Sequence, residues 1–288
     1  MSEQLNKTIT TLSDTEQIHD ICHTNGVFLP MPSVEMLKEA VNTTRALLFP
    51  GYYGNSQINE HNIQQHITLN INKLRELLQK QILSGLCFEG KNSAIDNLEE
   101  LSGNITEQFI ETLPEIRQQL YQDVLSSYNG DPAAKSFGEI IYCYPGIRAI
   151  CNYRIAHELL KLGVPLIPRI ITEMAHSETG IDIHPSAKIG SYFTIDHGTG
   201  VVIGETAVIG NNVKIYQGVT LGARSFPLDE NGHPIKGIKR HPNIGNNVII
   251  YSNSTILGDI TIGDDAIIGG NLWVTEDVPA GARLAQKK

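Results

Sequence analysis

An aliphatic residue returns every six positions through the C-terminal third of the chain. Neither a helix, with 3.6 residues per turn, nor an ordinary strand, with a period of two, has this spacing. A chain that coils into a prism has it, because each aliphatic side chain then points inward and stacks on its equivalents in neighbouring coils. The pattern predicts a parallel β-helix of roughly four to five coils. The aliphatic positions are Ile183, Ile189, Ile195; Ile203, Ile209, Ile215, Leu221; and Ile244, Ile250, Ile256, Ile262, Ile268, Val274.

Two interruptions break the six-residue pattern. A two-residue slip falls within Asp196–Ile203, beside Asp196-His197-Gly198-Thr199-Gly200. A slip lets the chain leave the strand and turn a side chain outward, as a bulge does in an ordinary sheet. The second interruption, residues 222–243, has no room inside stacked coils, so we predict a projecting loop, the kind of segment in which ligand contacts concentrate.

The residues before the coils have helical periodicity. His19 and His23 stand one helical turn apart, a spacing that could bind a metal ion. A solvated helix face is the stronger interpretation, because no carboxylate or other third ligand lies at a matching position. We therefore predict an all-α N-terminal domain over 1–178 and a β-helix domain over 179–288. The predicted helices are Ser33–Leu48 with Ser33 as cap, Asn59–Leu83, Ser93–Leu101, Ile105–Thr112, Pro114–Tyr128, one capped by Asp131 and beginning at Pro132, Pro145–Lys161 and Pro165–Ser177.

Composition narrows the class of protein. The chain has 288 residues, 41% of them hydrophobic, so it can bury real cores. A net charge of −9 argues against nucleic acid or an anionic membrane as the main partner. We expect no signal peptide and no membrane span, because the first thirty residues are polar and no run of eighteen apolar residues occurs. The four cysteines form no C-x-x-C pair, which favours reduced thiols in a cytoplasmic protein.

The slip offers candidate chemistry. Asp182 precedes His197 by fifteen residues, a little under one eighteen-residue coil, so the two should lie on adjacent coils near one edge. A carboxylate on one ring nitrogen supports the imidazolium that forms when the other nitrogen takes a proton, which suits deprotonation of a hydroxyl. The alternative is a solvated corner histidine and a turn aspartate. His184 has the place of a structural corner residue, and His241, where the loop rejoins the coils, faces either a ligand or the core.

Several segments resemble the serine O-acetyltransferase family over about residues 130–278. The six-residue repeat alone is shared by many acyltransferases, whereas the Asp-His-Gly-Thr-Gly and Gly-Glu-Thr-Ala segments are much more specific. The segments are Asp131-Pro132-Ala133-Ala134, Tyr153-Arg154-Ile155-Ala156-His157, Asp182-Ile183-His184-Pro185, Ile195-Asp196-His197-Gly198-Thr199-Gly200, Val202-Ile203-Gly204-Glu205-Thr206-Ala207 and Arg240-His241-Pro242.

The resemblance implies a fold and an activity. The fold is a helical N-terminal domain on a left-handed parallel β-helix, assembled as trimers or paired trimers with active sites between subunits. The activity is acetyl transfer from acetyl-CoA to the hydroxyl of L-serine, giving O-acetylserine for cysteine synthesis, with L-cysteine as inhibitor at the serine site and no metal. His197 then matches the general base and Asp182 its carboxylate partner. Asp131 and Asp196 match the residues that hold the serine ammonium, and Arg240 and His241 those around its carboxylate.

The same resemblance suggests where acetyl-CoA binds. Small residues let the pantetheine arm approach the backbone, and basic residues suit the CoA phosphates on an acidic chain. Many family members carry a longer tail ending in Ile that docks in cysteine synthase. This chain ends in Lys287-Lys288, so either the sequence is trimmed or that complex does not form. The candidate CoA contacts are Gly222, Ala223, Ser252, Gly270, Lys236 and Lys239.

Three alternatives remain open. An acetyltransferase of a sugar or antibiotic hydroxyl has less use for Asp131, Asp196 and Arg240, which suit a zwitterionic amino acid. A zinc hydratase on the same coils needs about three convergent histidines, and the available ones do not clearly converge. A structural trimer without turnover does not explain the retention of Asp182 and His197.

Overall fold

The computed structural model describes residues 2–14, 16, 31–88 and 95–286. The chain divides into two compact units, 1–30 and 31–288. In the first unit, helix α1 spans Glu3–Ser13, and Oγ of Ser2 accepts a hydrogen bond from the Leu5 N–H at 3.3 Å. His19, His23 and the terminal Lys287-Lys288 lie outside the described residues.

Six helices open the second unit in the described residues. The predicted cap at Ser33 is confirmed, since its Oγ accepts from the Met36 N–H at 3.3 Å. The predicted helix Pro145–Lys161 is confirmed at both ends. The helices are α2 Val34–Leu48, α3 Ile63–Phe88, α4 Ile95–Gly130, α5 Phe137–Cys143, α6 Pro145–Lys161 and α7 Ile167–Thr179.

Helix α4 corrects two predictions. The three short helices predicted over 93–128 are one helix of 36 residues with Pro114 inside it. An interior proline costs a helix about 3 kcal/mol, but the apolar face of α4 is buried on both sides of it, with Phe109 and Leu120 fully covered. Asp131 is also not a helix cap: α4 runs on to Gly130, and Ser136 caps α5.

The predicted parallel β-helix is confirmed. The strands are β1 Asp182–Ile183, β2 Lys188–Ile189, β3 Thr194–Asp196, β4 Val202–Ile203, β5 Val208–Ile209, β6 Lys214–Tyr216, β7 Thr220–Gly222, β8 Asn243–Ile244, β9 Ile249–Ile250, β10 Thr255–Leu257, β11 Thr261–Ile262, β12 Ile267–Ile268, β13 Trp273–Val274 and β14 Arg283–Leu284. Sheet A has the order β1-β4-β7-β10-β13, sheet B β11-β8-β5-β2 and sheet C β14-β12-β9-β6-β3, with every named pair parallel in the described part of the chain.

The register explains both interruptions. Ile203 pairs with Leu221 eighteen residues on, which is one regular coil, whereas Ile183 pairs with Ile203 twenty residues on. The two extra residues are the predicted slip. The insertion lies between β7 and β8, where Leu228 and Pro234 form an isolated antiparallel bridge. The aliphatic residues of the repeat point inward and are buried, except Ile189, which is partly covered.

The helices and the first coil are packed against each other through buried polar contacts. Tyr153 donates its hydroxyl to the Ala187 carbonyl at 2.5 Å, and a methyl group on Gly146 of α6 would lie 2.4 Å from the Ile195 carbonyl oxygen. Helix α7 ends at Thr179 with Gly180 in the left-handed conformation, and β1 follows at Asp182.

The division into domains at residue 178 stays a prediction. None of the described helices combines the length and the apolar character that a membrane crossing requires.

Candidate active site

The slip forms the corner between β3 and β4. His197, Gly198 and Gly200 have positive φ there, at 58°, 89° and 81°. A residue other than glycine seldom adopts this conformation. At His197 the side chain is 75% exposed, and its Nε2 lies 3.8 Å from Oδ1 of Asp196. The corner thus places an imidazole and a carboxylate side by side on the outside of the coil.

Asp131 belongs to the same corner. Its Oδ2 accepts a hydrogen bond from the Tyr144 hydroxyl at 2.5 Å, and its Oδ1 accepts from the Ala133 N–H at 2.8 Å. These two hydrogen bonds lower the pKa of Asp131, and the charges of Lys214 and His197 act in the same direction. The same contact raises the pKa of Tyr144 to about 12. At neutral pH Asp131 is therefore a carboxylate and Tyr144 a neutral hydrogen-bond donor. The sequence predicted Asp131 as a site residue but did not point to Tyr144.

Lys214 of β6 is the second residue that sequence reasoning missed. Its Nζ lies 3.0 Å from Oδ2 of Asp196 and donates to the Gly130 carbonyl at 2.8 Å. Burial disfavours the ammonium, but hydrogen bonds to Asp196 and Tyr216 prevail and raise the pKa of Lys214. The pairing of β3 with β6 brings Lys214 close to Asp196. Its position one coil after Asp196 in the repeat was the sequence feature that could have pointed to it. We call Asp131, Tyr144, Asp196, His197 and Lys214 the first-corner cluster.

Asp182 has a different set of neighbours from the one that its spacing suggested. Its Oδ1 lies 3.7 Å from a guanidinium nitrogen of Arg169, and Glu173 and His176 offer ligand atoms within 4.8 Å of its own. Such a trio could hold a metal ion, but Arg169 already pairs with both Glu173 and Asp182 and supplies positive charge there. No hydrogen bond or ion pair among the described residues joins Asp182 to His197, so their pairing stays a prediction.

Arg240 and His241 meet the coils at Glu205 and Thr206, on the other side of β4. The Arg240 guanidinium is hydrogen-bonded to the Glu205 carboxylate. The Thr206 hydroxyl oxygen accepts the backbone N–H groups of Arg240 and His241, at 3.0 and 3.1 Å. This threonine therefore fixes the point at which the loop rejoins the coils. We call Glu205, Thr206, Arg240 and His241 the second-corner cluster; only the roles of Glu205 and Thr206 were missed from sequence.

The hydrogen bonds of His241 assign its tautomer. Its Nδ1 accepts from the Thr206 N–H at 3.1 Å and lies 2.9 Å from the Thr206 hydroxyl, which is left to donate to it. The ring proton is therefore assigned to Nε2. Burial, and next the charge of Arg240, lower the pKa of His241 to about 4. His241 is thus a neutral ring that can donate a hydrogen bond from Nε2.

Gly204 makes room for this ring. A methyl group at Gly204 would lie 2.0 to 2.1 Å from Cδ2 and Nε2 of His241, far inside van der Waals contact. The absence of a side chain at this position therefore allows the imidazole to lie flat against the coil. This gives a physical reason for the Gly in the Gly-Glu-Thr-Ala segment.

The two clusters lie at opposite ends of β4. Asp196 and His197 precede β4 of sheet A, whereas Glu205 and Thr206 follow it. Among the described residues, no hydrogen bond or ion pair links the first-corner cluster to the second-corner cluster. The clusters therefore share no direct polar contact in the described part of the chain.

The candidate CoA residues fall at two places. Ser252 and Gly270 stack on adjacent coils before β10 and β13, where the Asn271 N–H donates to the Ser252 carbonyl at 2.9 Å. Gly222, the last residue of β7, and Ala223, which follows it, lie at the opposite end of the sheet A strands. Lys236 is exposed on the loop, whereas Lys239 donates to the Thr206 carbonyl at 2.5 Å and lies 3.9 Å from Asp259. Lys239 is thus already engaged by the coils.

Comparisons with known proteins identify what the chain is similar to. Residues 241–276 match the family model described as bacterial transferase hexapeptide (six repeats). The chain is 48% identical over 264 residues to the "Serine acetyltransferase, plasmid" of Synechococcus elongatus, covering 90% of this chain and 83% of that protein.

Two solved structures are similar along most of their length. Serine acetyltransferase 1 of Entamoeba histolytica in complex with L-cysteine has a TM-score of 0.76 and 36% identity, over 89% of this chain and 88% of that one. The serine acetyltransferase of Neisseria gonorrhoeae in complex with serine has a TM-score of 0.56 and 28% identity, over 92% of this chain and 98% of that one.

Proposed function

Because this chain belongs to the serine acetyltransferase family, we propose that it transfers the acetyl group of acetyl-CoA to the hydroxyl of L-serine. The products are O-acetylserine, a precursor for cysteine synthesis, and free CoA. The observation that carries the proposal is the first-corner cluster, which combines an exposed imidazole with two carboxylates. A base beside groups that can hold an ammonium suits an amino acid with a hydroxyl.

His197 is the proposed base. Its imidazole takes the proton of the serine hydroxyl as the oxygen attacks the thioester carbon of acetyl-CoA. When the carbon–sulfur bond breaks, the imidazolium returns this proton to the CoA thiolate, so the enzyme is unchanged. Asp182 is its proposed carboxylate partner and stabilises the imidazolium between the two steps. Base catalysis of this kind contributes about 10²–10⁴-fold.

The two clusters divide the amino acid between them. Asp131 and Asp196 bind the serine ammonium, and the low pKa of Asp131 keeps its charge available. Arg240 and the Nε2–H of His241 bind the serine carboxylate, for which a guanidinium and a neutral donor are suitable partners. Since one chain separates the clusters, we propose a homotrimer, or a pair of trimers, in which neighbouring chains complete each site.

L-cysteine fits the same arrangement as an inhibitor. It has the ammonium and carboxylate of serine in the same positions and differs only in the atom that faces His197. The Entamoeba histolytica relative whose complex contains L-cysteine supports this reading.

The acetyl-CoA arm is proposed to pass the small residues Ser252 and Gly270, where the backbone is accessible. Lys236, exposed on the loop, then meets the CoA phosphates. Replacing Lys236 with Met should raise the KM for acetyl-CoA and leave the KM for L-serine unchanged; an unchanged KM for acetyl-CoA removes this assignment.

The proposal is tested by the release of CoA thiol with different acceptors. Purified protein is given acetyl-CoA with L-serine, L-homoserine, or a neutral sugar at equal concentrations, and metal content is measured on the same sample. Rapid release with L-serine alone is the expected result. Equal or faster release with the sugar supports an acetyltransferase of another hydroxyl, and no release with any acceptor contradicts acetyl transfer.

A further inference from the structure

Lys214 places an ammonium group where the substrate's ammonium is proposed to bind. Its Nζ lies 3.0 Å from Oδ2 of Asp196 and donates to the carbonyl of Gly130, the residue next to Asp131. The Lys214 charge is also felt by Asp131 itself. Both acids proposed to bind a ligand ammonium therefore already interact with a cation of the same chemistry from the chain.

The charges show what this cation does to the site. Asp131 and Asp196 together carry two negative charges, and Lys214 leaves one. An amino acid adds one ammonium, which the remaining charge can balance. If Lys214 Nζ stayed against Asp196 while the ligand bound the same carboxylate, two ammonium groups would lie about 4 Å apart and repel each other strongly.

The surroundings of Lys214 offer its ammonium another position. Its Nζ lies 4.8 Å from the centre of the Tyr216 ring, and the Gly130 carbonyl holds it without help from Asp196. Lys214 also lines a cavity of about 300 Å³ that is bordered by amide and hydroxyl groups and not by Asp196. Asn129, Asn212, Asn247 and Thr194 line it beside Lys214. A flexible lysine can therefore leave Asp196 and still find polar partners.

We propose that Lys214 is a resident competitor for Asp196, which the ammonium of the incoming amino acid displaces. The inference rests on the proposed function, because it takes Asp131 and Asp196 as the amino-binding acids. Displacement costs binding free energy, so Lys214 weakens the affinity for L-serine and for L-cysteine alike. Ligands without an ammonium do not displace it. Lys214 is thus a residue that sets affinity for amino-bearing ligands, and it takes no part in the proton transfer.

Three variants test this. Lys214→Met keeps the length of the side chain without its charge, Lys214→Arg keeps the charge, and Lys161→Met removes a lysine whose partner is Glu158 on α6. We expect Lys214→Met to lower the KM for L-serine and the Kd for L-cysteine by about tenfold, equivalent to about 1.4 kcal/mol, with kcat within about twofold. Lys161→Met should keep the KM of the unmodified chain, and Lys214→Arg, which keeps a cation beside Asp196, should not lower it.

A ligand without an amine separates competition from a structural effect. 3-Hydroxypropanoate has the hydroxyl and carboxylate of serine but no ammonium, so its Ki should not fall in Lys214→Met. If Lys214 only anchors the end of α4, the variant melts at a lower temperature and the KM for L-serine rises or stays the same. Either of those KM results overturns the proposal, as does an equal fall in KM and in the Ki for 3-hydroxypropanoate.

A measurement on the unmodified chain covers the case in which Lys214→Met does not fold. In a crystal structure with L-serine or L-cysteine bound, Nζ of Lys214 should lie more than 3.5 Å from both carboxylate oxygens of Asp196. An Nζ that remains at about 3.0 Å contradicts displacement. If the unmodified chain does not acetylate L-serine, the proposed function fails separately, and L-cysteine binding by calorimetry still reads the effect of Lys214.

Discussion

Replacing Asp123 with Ala should destabilise the part of the molecule that holds the first-corner cluster. Asp123 lies in α4 with its side chain fully buried, and it forms an ion pair with Arg154 of α6, whose side chain is 3% exposed. The Arg154 Nε donates to Oδ2 at 2.7 Å and Nη2 donates to Oδ1 at 3.0 Å. The Phe193 N–H, next to β3, donates to Oδ1 at 2.9 Å. One carboxylate therefore joins two helices and the first coil.

The magnitude follows from what the substitution leaves behind. Alanine removes the only charged partner that the described residues offer this buried guanidinium and leaves it the neutral acceptors Gln119 and the Gly190 carbonyl. Breaking a buried pair in this way costs about 3–5 kcal/mol. The Phe193 N–H loses its acceptor as well, and Phe193 directly precedes the strand that carries Asp196. Since domains are commonly stable by about 5–15 kcal/mol, the loss is a large fraction of the total, and turnover should fall as the corner loosens.

The assay is urea unfolding followed by far-UV circular dichroism at one fixed protein concentration. Glu107→Ala is the matched control, because Glu107 also pairs with an arginine, Arg75, but both side chains are about half exposed, 51% and 42%. An exposed pair contributes about 1 kcal/mol or less. If Asp123→Ala is no more destabilising than Glu107→Ala, the buried pair does not hold the helices on the coils.

Two further predictions concern the second-corner cluster. Gly204→Ala places a methyl group against the ring of His241, so we expect the KM for L-serine to rise about tenfold, equivalent to about 1.4 kcal/mol, with a smaller change in kcat; an unchanged KM contradicts the packing argument. The pKa of His241 is about 4 in the folded chain, below the ordinary value of 6.5, so the unfolded chain binds more protons between these values. The stability that this histidine contributes is full above about pH 6.5 and is lost as the pH falls toward 4. The melting temperature should therefore fall less steeply between these pH values in His241→Gln than in the unmodified chain. If the melting temperature falls equally with pH in both proteins, the low pKa is wrongly assigned to His241.

The repeat made most of the fold predictable. Inward aliphatic residues must recur once per side of the prism, so Ile203 and Leu221 had to stack, and they do. Capping residues and prolines placed α2 and α6 because these signals act within a few residues. Pro114 misled for the same reason: its local effect is overridden by burial of the α4 face, which depends on residues far away in the chain.

The site was predictable only as far as its parts are local in sequence. Asp196 and His197 share one corner, and Arg240 and His241 share another, so their grouping followed from adjacency. Tyr144 reaches the first corner from the junction between α5 and α6, and no spacing rule marks that contact. Lys214 reaches it from the next coil, where the repeat gives its position but not its contact with Asp196. The relation between the two corners is a matter of the proposed assembly of several chains, which a single sequence does not describe.

The central claim, that His197 is the base of acetyl transfer to L-serine, is tested most directly by kcat for CoA release in His197→Ala. His233→Ala is the control, because His233 lies on the projecting loop with a side chain 77% exposed, close to the 75% of His197. We expect kcat to fall by about 10²-fold or more in His197→Ala, with the melting temperature unchanged and the control fully active. A general base contributes at least about a hundredfold to kcat. A kcat in His197→Ala within about threefold of that of the unmodified chain would therefore contradict the account.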